Sequence, residues 1–181
     1  MVQFLSELIL TLPGAQVQGS LARKINGIFY DSRKVTPNSI FVCISGFKTD
    51  GHYYISQAVA KGATVIVAEK DVTAPTEVTV IRVPDTRLAL AKLASAYYDH
   101  PSRELRLIGV TGTNGKTSVT YLIRAILGKY GQKVGLLGTI ANLVGNKSIP
   151  SEHTTPESSD LQRLFRTMVR EKAATVVMEV S

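Results

Sequence analysis

Leu107-Ile-Gly-Val-Thr-Gly-Thr-Asn-Gly-Lys-Thr-Ser118 passes within twelve residues from an apolar run to a cluster of small residues and then to Lys-Thr. The apolar part reads as a buried strand, and the residues after Gly115 open an apolar-periodic segment that runs to Tyr130, the pattern of a helix. Backbone N–H groups of a loop set between strand and helix converge on one spot, and the helix N-terminus adds partial positive charge there. In that setting Lys116 can reach the β- and γ-phosphates of a nucleotide and the Thr117 hydroxyl can bind Mg²⁺. The strict motif asks for Gly five positions before Gly115, where Val110 stands; Gly109 and Gly112 supply the flexibility instead. A Gly-Lys-Thr triplet alone is a common turn, so the context carries the reading.

Outward from this loop, strands and helices alternate. Toward the C-terminus, strand Val134–Leu137 is followed by a loop over about 142–156, a helix over Glu157–Lys172 and a strand over Thr175–Val180. Toward the N-terminus, His100-Pro-Ser102 marks a break. Before it, strands are predicted over Ile25–Tyr30, Ser39–Ile44, Thr64–Ala68 and Val78–Val83, with helices over Val2–Leu12, Tyr53–Lys61 and from an Asp85 N-cap to Tyr98. Alternation of this kind predicts an α/β chain with parallel sheets and right-handed crossovers. The expected organisation is a small α/β domain over 1–100 and the first half of a phosphate-loop ATPase domain over 101–181. Sites in parallel α/β domains lie at the carboxyl ends of strands. This chain stops at Ser181, directly after such a strand, and reads as the front part of something longer.

The net charge is +7. Residues 1–104 carry 11 basic and 9 acidic side chains, residues 105–181 carry 10 and 5, and no basic run exceeds two residues. Nucleic-acid binders cluster their basic residues, so a nucleic-acid partner is not expected; phosphorylated small ligands or a solvated basic face account for the surplus. Cys43 is the sole cysteine, in the apolar run Ile40–Ile44, and reads as a small buried hydrophobe. No apolar stretch reaches the ~18 residues of a membrane span. The start lacks the basic region of a secretory signal, so a cytoplasmic protein is expected.

Thr111-Gly-Thr-Asn-Gly-Lys-Thr117 resembles the phosphate loop of the Mur ligases and of folylpolyglutamate synthetases, whose first Gly is displaced in the same way. Tyr30-Asp-Ser-Arg33, Pro37-Asn-Ser-Ile-Phe-Val42, Gly46-Phe-Lys-Thr-Asp-Gly51 and Ala63–Glu69 resemble the uridine-diphosphate-binding domain of the tripeptide-forming Mur ligases. His153-Thr-Thr-Pro-Glu157 and Met178-Glu-Val-Ser181 resemble their substrate loop and metal-binding strand end. The resemblance runs the length of the chain; folylpolyglutamate synthetases lack this kind of N-terminal domain.

The resemblance implies roles residue by residue. Tyr30, Ser32, Phe47, Lys48 and Thr49 would hold the uridine end of the substrate. Gly112, Thr113, Asn114, Gly115, Lys116, Thr117 and Ser118 would bind ATP phosphates, with Lys116 the catalytic cation. His153, Thr154, Thr155 and Ser181 would line the muramoyl-peptide site, and Thr117 with Glu179 would hold Mg²⁺. Ser32 also reads as a turn residue and His153 as an ordinary loop residue. Glu179 at the end of a buried strand resists a bland reading, because an unpaired buried carboxylate is costly.

The implied reaction is ATP-dependent activation of the terminal carboxylate of UDP-N-acetylmuramoyl-L-alanyl-D-glutamate, followed by attack of a diamino acid's amine. Lys116 and Mg²⁺ would stabilise the charge on the transferring phosphoryl group. The family's carbamylated lysine and amino-acid-binding C-terminal domain would lie beyond Ser181, so the chain alone is expected to be inactive. The alternatives are a Mur-type ligase that adds the terminal dipeptide, which shares Asp31-Ser-Arg33, and a non-catalytic module that binds nucleotide or UDP-sugar. The third amino acid and the oligomeric state are not encoded in these residues.

Overall fold

A computed structural model describes residues 2–46, 49–145, 147–151 and 154–181. The chain separates into two compact units, Met1–Tyr97 and Tyr98–Ser181.

The first unit contains, in order, β1 (Gln3–Phe4), α1 (Leu5–Leu8), β2 (Gln16–Gln18), β3 (Lys24–Ile25), β4 (Gly27–Phe29), β5 (Ser39–Val42), α2 (Ile55–Ala60), β6 (Ala63–Ala68), β7 (Thr79–Arg82) and α3 (Thr86–Tyr97). Its main sheet has the order β2-β7-β6-β5-β4. β4 to β7 are parallel, and β2 closes one edge antiparallel to β7. The central strands are apolar on both sides because both faces are covered. Phe41, Ile66 and Ala68 pack with Ile55 and Ala58 of α2. The alternate residues Ile40, Val65 and Val67 are also buried, on the side where α3 meets β4 and β6. The Asp85 cap is formed: its carboxylate accepts from Leu88 N at 2.8 Å.

The expected first helix is shortened at its front and tightens to a 3₁₀ turn at its end. Gln3 and Phe4 pair with Ile25 and Lys24 as a short antiparallel ribbon, and only one α-turn, Leu5–Leu8, follows before a 3₁₀ turn. Only Leu5, Leu8 and Leu12 of that apolar series are buried, and Leu10 faces solvent. The predicted strand over Ile25–Tyr30 is split between β3 and β4, and β2 lies in a stretch to which the sequence reading assigned no element.

The second unit contains β8 (Arg106–Val110), α4 (Lys116–Lys129), β9 (Val134–Leu137), β10 (Ala141–Val144), β11 (Lys147–Pro150), α5 (Ser158–Arg170) and β12 (Thr175–Glu179). The sheet order is β11-β10-β9-β12-β8, with β9, β12 and β8 parallel. The front of the segment expected as loop is instead a hairpin, β10 pairing antiparallel with β11 across a turn at Gly145, where φ is +61°. Leu164, Phe165 and Met168 of α5 pack on Leu137, Val144 and Val176. The fit is close at Gly135, where a Cβ would come within 2.6 Å of Met168 Sδ. α4 contacts β12, β9 and β8 but buries only Thr120, while Leu122 and Ile126 stay 62% and 56% exposed. Edge strand β8 also shows Leu107 to solvent. Among the described residues no helix is long and apolar enough to cross a membrane.

Candidate functional site

Because β8, β12 and β9 are parallel and in register, with Glu179 beside Val110 and Met178 beside Leu137, their carboxyl ends lie together. Three segments therefore meet at one edge: residues 111–115 after β8, Gly138-Thr139 after β9, and the end of β12. Gly112 (φ +144°) and Gly115 (φ +78°) take backbone angles that a side chain disfavours, and Gly115 is the N-cap of α4. α4 thus begins with Lys116 and Thr117 at the strand ends. Lys116 Nζ donates to Gly112 O at 2.7 Å, across the loop's own mouth. Thr113, Asn114 and Ser118 are exposed around it.

Glu179 is the centre of this edge, 1% exposed. Its Oε2 accepts from Thr117 Oγ1 at 3.1 Å and from Thr139 Oγ1 at 3.0 Å; its Oε1 accepts from Thr139 N at 3.0 Å. Among the described residues its partners are thus two hydroxyls and an amide, none of them cationic. Gly138 makes room for this, since a Cβ there would overlap Glu179 Oε1. Thr154 Oγ1 lies 3.1 Å from Thr139 Oγ1, and Thr155 Oγ1 donates to Glu179 O at 3.2 Å and accepts from Ser181 N at 3.1 Å. The structure therefore brings together Lys116, Thr117, Thr154, Thr155, Glu179 and Ser181. It adds Gly138 and Thr139, which the sequence reading missed. Thr139 carries no motif; only its place just after a strand that runs parallel to β8 could have flagged it.

In the first unit, the Asp31-Ser-Arg33 turn follows β4. Arg33 pairs with Asp31 through two guanidinium nitrogens, at 2.8 and 2.9 Å, and holds that carboxyl below its ordinary range. The Ser32 side chain is 6% exposed, and its Oγ donates to Gln57 Oε1 at 2.6 Å. Lys61 Nζ donates to Arg33 O at 2.6 Å, so α2 and the residue after it hold this turn from two points. Tyr30 is half-buried just before it.

The Gly46–Thr49 tip is closed at its base by a Ser45–Asp50 bridge and by Gly46 N to Thr49 O at 2.9 Å. Thr49 Oγ1 donates to Tyr54 Oη at 3.1 Å. Asp50 accepts from His52 Nδ1 and from Lys70 Nζ, each at 2.5 Å, while His52 Nε2 accepts from Glu69 N at 3.2 Å. Burial opposes the Asp50 charge, but Lys70 and His52 outweigh it and keep the carboxyl well below the usual carboxylate range. Gly51 is required at this base, because a Cβ would meet Ile44 N at 2.7 Å. Phe47, Lys48 and His153 lie outside the described residues. Gln57, Asp50, His52 and Lys70 were not singled out from sequence.

Two family models match the chain, one in each unit. The model of the Mur ligase middle domain matches residues 110–181, and the model described as the Mur ligase family catalytic domain matches residues 24–98. The chain belongs to the Mur ligase family. It is 53% identical over 177 residues to the UDP-N-acetylmuramoyl-L-alanyl-D-glutamate–2,6-diaminopimelate ligase of Alkaliphilus metalliredigens, covering 98% of this chain and 36% of that protein. The ligase of the same description from Caldanaerobacter subterraneus subsp. tengcongensis is 51% identical over 166 residues, covering 92% of this chain and 34% of its own length. The chain thus spans about a third of the length of the curated relatives it matches. A solved UDP-N-acetylmuramoyl-L-alanyl-D-glutamate–2,6-diaminopimelate ligase shares the fold, with a TM-score of 0.82 over 100% of this chain and 36% of that one, at 24% identity. The MurF ligase of Thermotoga maritima, solved in complex with ADP, matches 84% of this chain and 31% of its own at 25% identity and a TM-score of 0.57.

Proposed function

We propose that this chain supplies the nucleotide-sugar-binding and phosphate-binding parts of a cytoplasmic ATP-dependent ligase. That enzyme joins a diamino acid, 2,6-diaminopimelate as in the relatives, to UDP-N-acetylmuramoyl-L-alanyl-D-glutamate. The observation that carries this is the meeting of a Gly-rich loop, a helix N-terminus and a buried carboxylate, without a cationic partner among the described residues, at one edge of a parallel sheet. The activity for which the relatives are named supports the choice of substrates.

The donor set fits magnesium. Mg²⁺ takes oxygen ligands at about 2.0–2.1 Å in octahedral geometry and keeps several waters, so two neighbouring ligands lie about 3 Å apart. Thr117 Oγ1 and Glu179 Oε2 are 3.1 Å apart. No cluster of three or more His, Cys, Asp or Glu occurs among the described residues, which suits an ion held mainly by phosphate and water. When bound, the ion would offset the charge gathered on the phosphoryl oxygens. The loop N–H groups of 112–118 would hold the phosphates, and Lys116 would leave Gly112 O for them. Thr154, Thr155 and Ser181, with His153, would orient the muramoyl-peptide. Tyr30, Ser32, Thr49, Phe47 and Lys48 would hold the uridine end, with Ser32 contacting it through backbone unless its bond to Gln57 opens.

Calorimetric titration with Mg-ATP tests the reading. Lys116→Ala removes a charge-assisted contact worth roughly 1.5–3 kcal/mol, so affinity should fall about 10- to 150-fold. Equal affinity of the variant and the parent chain would sink the loop assignment.

A further inference from the structure

Thr139 is exposed, yet both of its hydrogen-bond donors turn inward to one carboxylate. Its N–H reaches Glu179 Oε1 and its hydroxyl reaches Oε2, each at 3.0 Å. A carboxylate held at one oxygen can swing about its terminal torsion, which is broad for an sp³–sp² bond. Held at both oxygens by one residue, its plane is fixed. The oxygen that faces Thr117 at 3.1 Å is then always presented in the same direction. A hydroxyl carries one proton and two acceptor lone pairs. With the Thr139 proton on Glu179, its lone pair is open to the Thr154 hydroxyl 3.1 Å away. A second tie runs in parallel, from Thr155 Oγ1 to Glu179 O.

We propose that Thr139 is a positioning residue: it orients Glu179 toward the divalent cation of a bound nucleotide and links that carboxylate to the 154–155 segment. This rests on the proposed Mg-nucleotide reading of the site. Groups one step outside a metal's ligands orient them, and their loss typically costs about 10–100-fold in metal affinity. A purely structural Thr139 would instead affect stability and nucleotide affinity alike, with or without metal.

The test is ATP affinity of the 181-residue chain, measured by calorimetry across a Mg²⁺ titration and again in EDTA. Direct Mn²⁺ binding in the presence of ATP is followed by electron paramagnetic resonance. Thr139→Val keeps the N–H and the side-chain shape but removes the hydroxyl. It should raise the Mg²⁺ and Mn²⁺ concentrations for half-saturation about tenfold, with ATP affinity in EDTA unchanged. Thr139→Ser restores the hydroxyl and should return both to within about twofold of the parent. Thr139→Ala, measured alongside, serves if the valine variant fails to fold. Unchanged metal dependence in the variants overturns the proposal, as does an equal loss of affinity in EDTA. A parent chain that binds no Mg-ATP overturns the nucleotide reading itself, a result distinct from either.

Discussion

Gly138→Ala probes the site through packing alone. The new methyl would overlap Glu179 Oε1 and lie 3.1 Å from Cδ and 3.3 Å from Cγ of the same side chain. No flexible end can step aside cheaply, because the carboxylate is 1% exposed and held by three hydrogen bonds. Forcing an extra methyl into a filled space costs about 1–3 kcal/mol. A displaced carboxylate recovers part of its hydrogen bonding from water, so the net stays within that range. At about 1.4 kcal/mol per tenfold, that is a 5- to 150-fold rise in the opening equilibrium. Native-state hydrogen exchange at Val176 and Val177, buried in β12, reads it directly. Gly128→Ala is the control: its Cβ would meet nothing within 4 Å. Alanine is also favoured over glycine in a helix by up to about 1 kcal/mol, so exchange should slow or stay unchanged. The Gly138 variant should also lose the Mg²⁺-dependent part of its ATP affinity. Parent-like exchange together with parent-like Mg²⁺ dependence would refute the placement of Glu179.

Burial pushes the Cys43 thiol up to about 12, with the Asp50 charge adding to it. At pH 8 the thiolate is then roughly one part in ten thousand, so the native chain should resist dithionitrobenzoate and react at one site per chain in urea; fast labelling of native protein would contradict the burial. Asp50 has a folded pKa below its unfolded value, so the stability it contributes is fully present above about pH 4 and is lost as pH falls below that. Asp50→Asn should therefore lower the melting temperature at pH 7 and flatten the decline below pH 4, as followed by circular dichroism. An unchanged acid limb would contradict the Lys70 and His52 pairing.

The α/β architecture was legible because its signals are local. A twelve-residue strand–loop–helix passage, apolar runs of strand length and an Asp85 cap need no knowledge of what they pack against. The same locality explains the misses. The apolar period over Val2–Leu12 promised a helix, but ladder pairing of Gln3 and Phe4 with Lys24 and Ile25 took the front of it. The β10–β11 hairpin did carry a signal, two runs separated by the two residues Gly145-Asn146, hidden in a stretch whose polar composition resembled loop. At the site, Glu179 stood out as a charge closing an apolar strand. Thr139 and Gly138 did not, because their role comes only from the parallel register that sets β9 beside β12. Likewise Gln57 meets Ser32 across 25 positions, a distance that no local pattern spans.

The substrate is tested most directly by titrating the ¹⁵N-labelled chain with UDP-N-acetylmuramoyl-L-alanyl-D-glutamate and following its amide resonances. Saturable shifts are expected at Ser32, Arg33, Thr49 and Gln57, and UDP alone should reproduce that group. The muramoyl-peptide should add shifts at Thr154, Thr155 and Ser181. A chain that binds Mg-ATP yet shows no shift at the 31–33 turn or the base of the 46–49 tip would contradict the assignment of this ligase substrate.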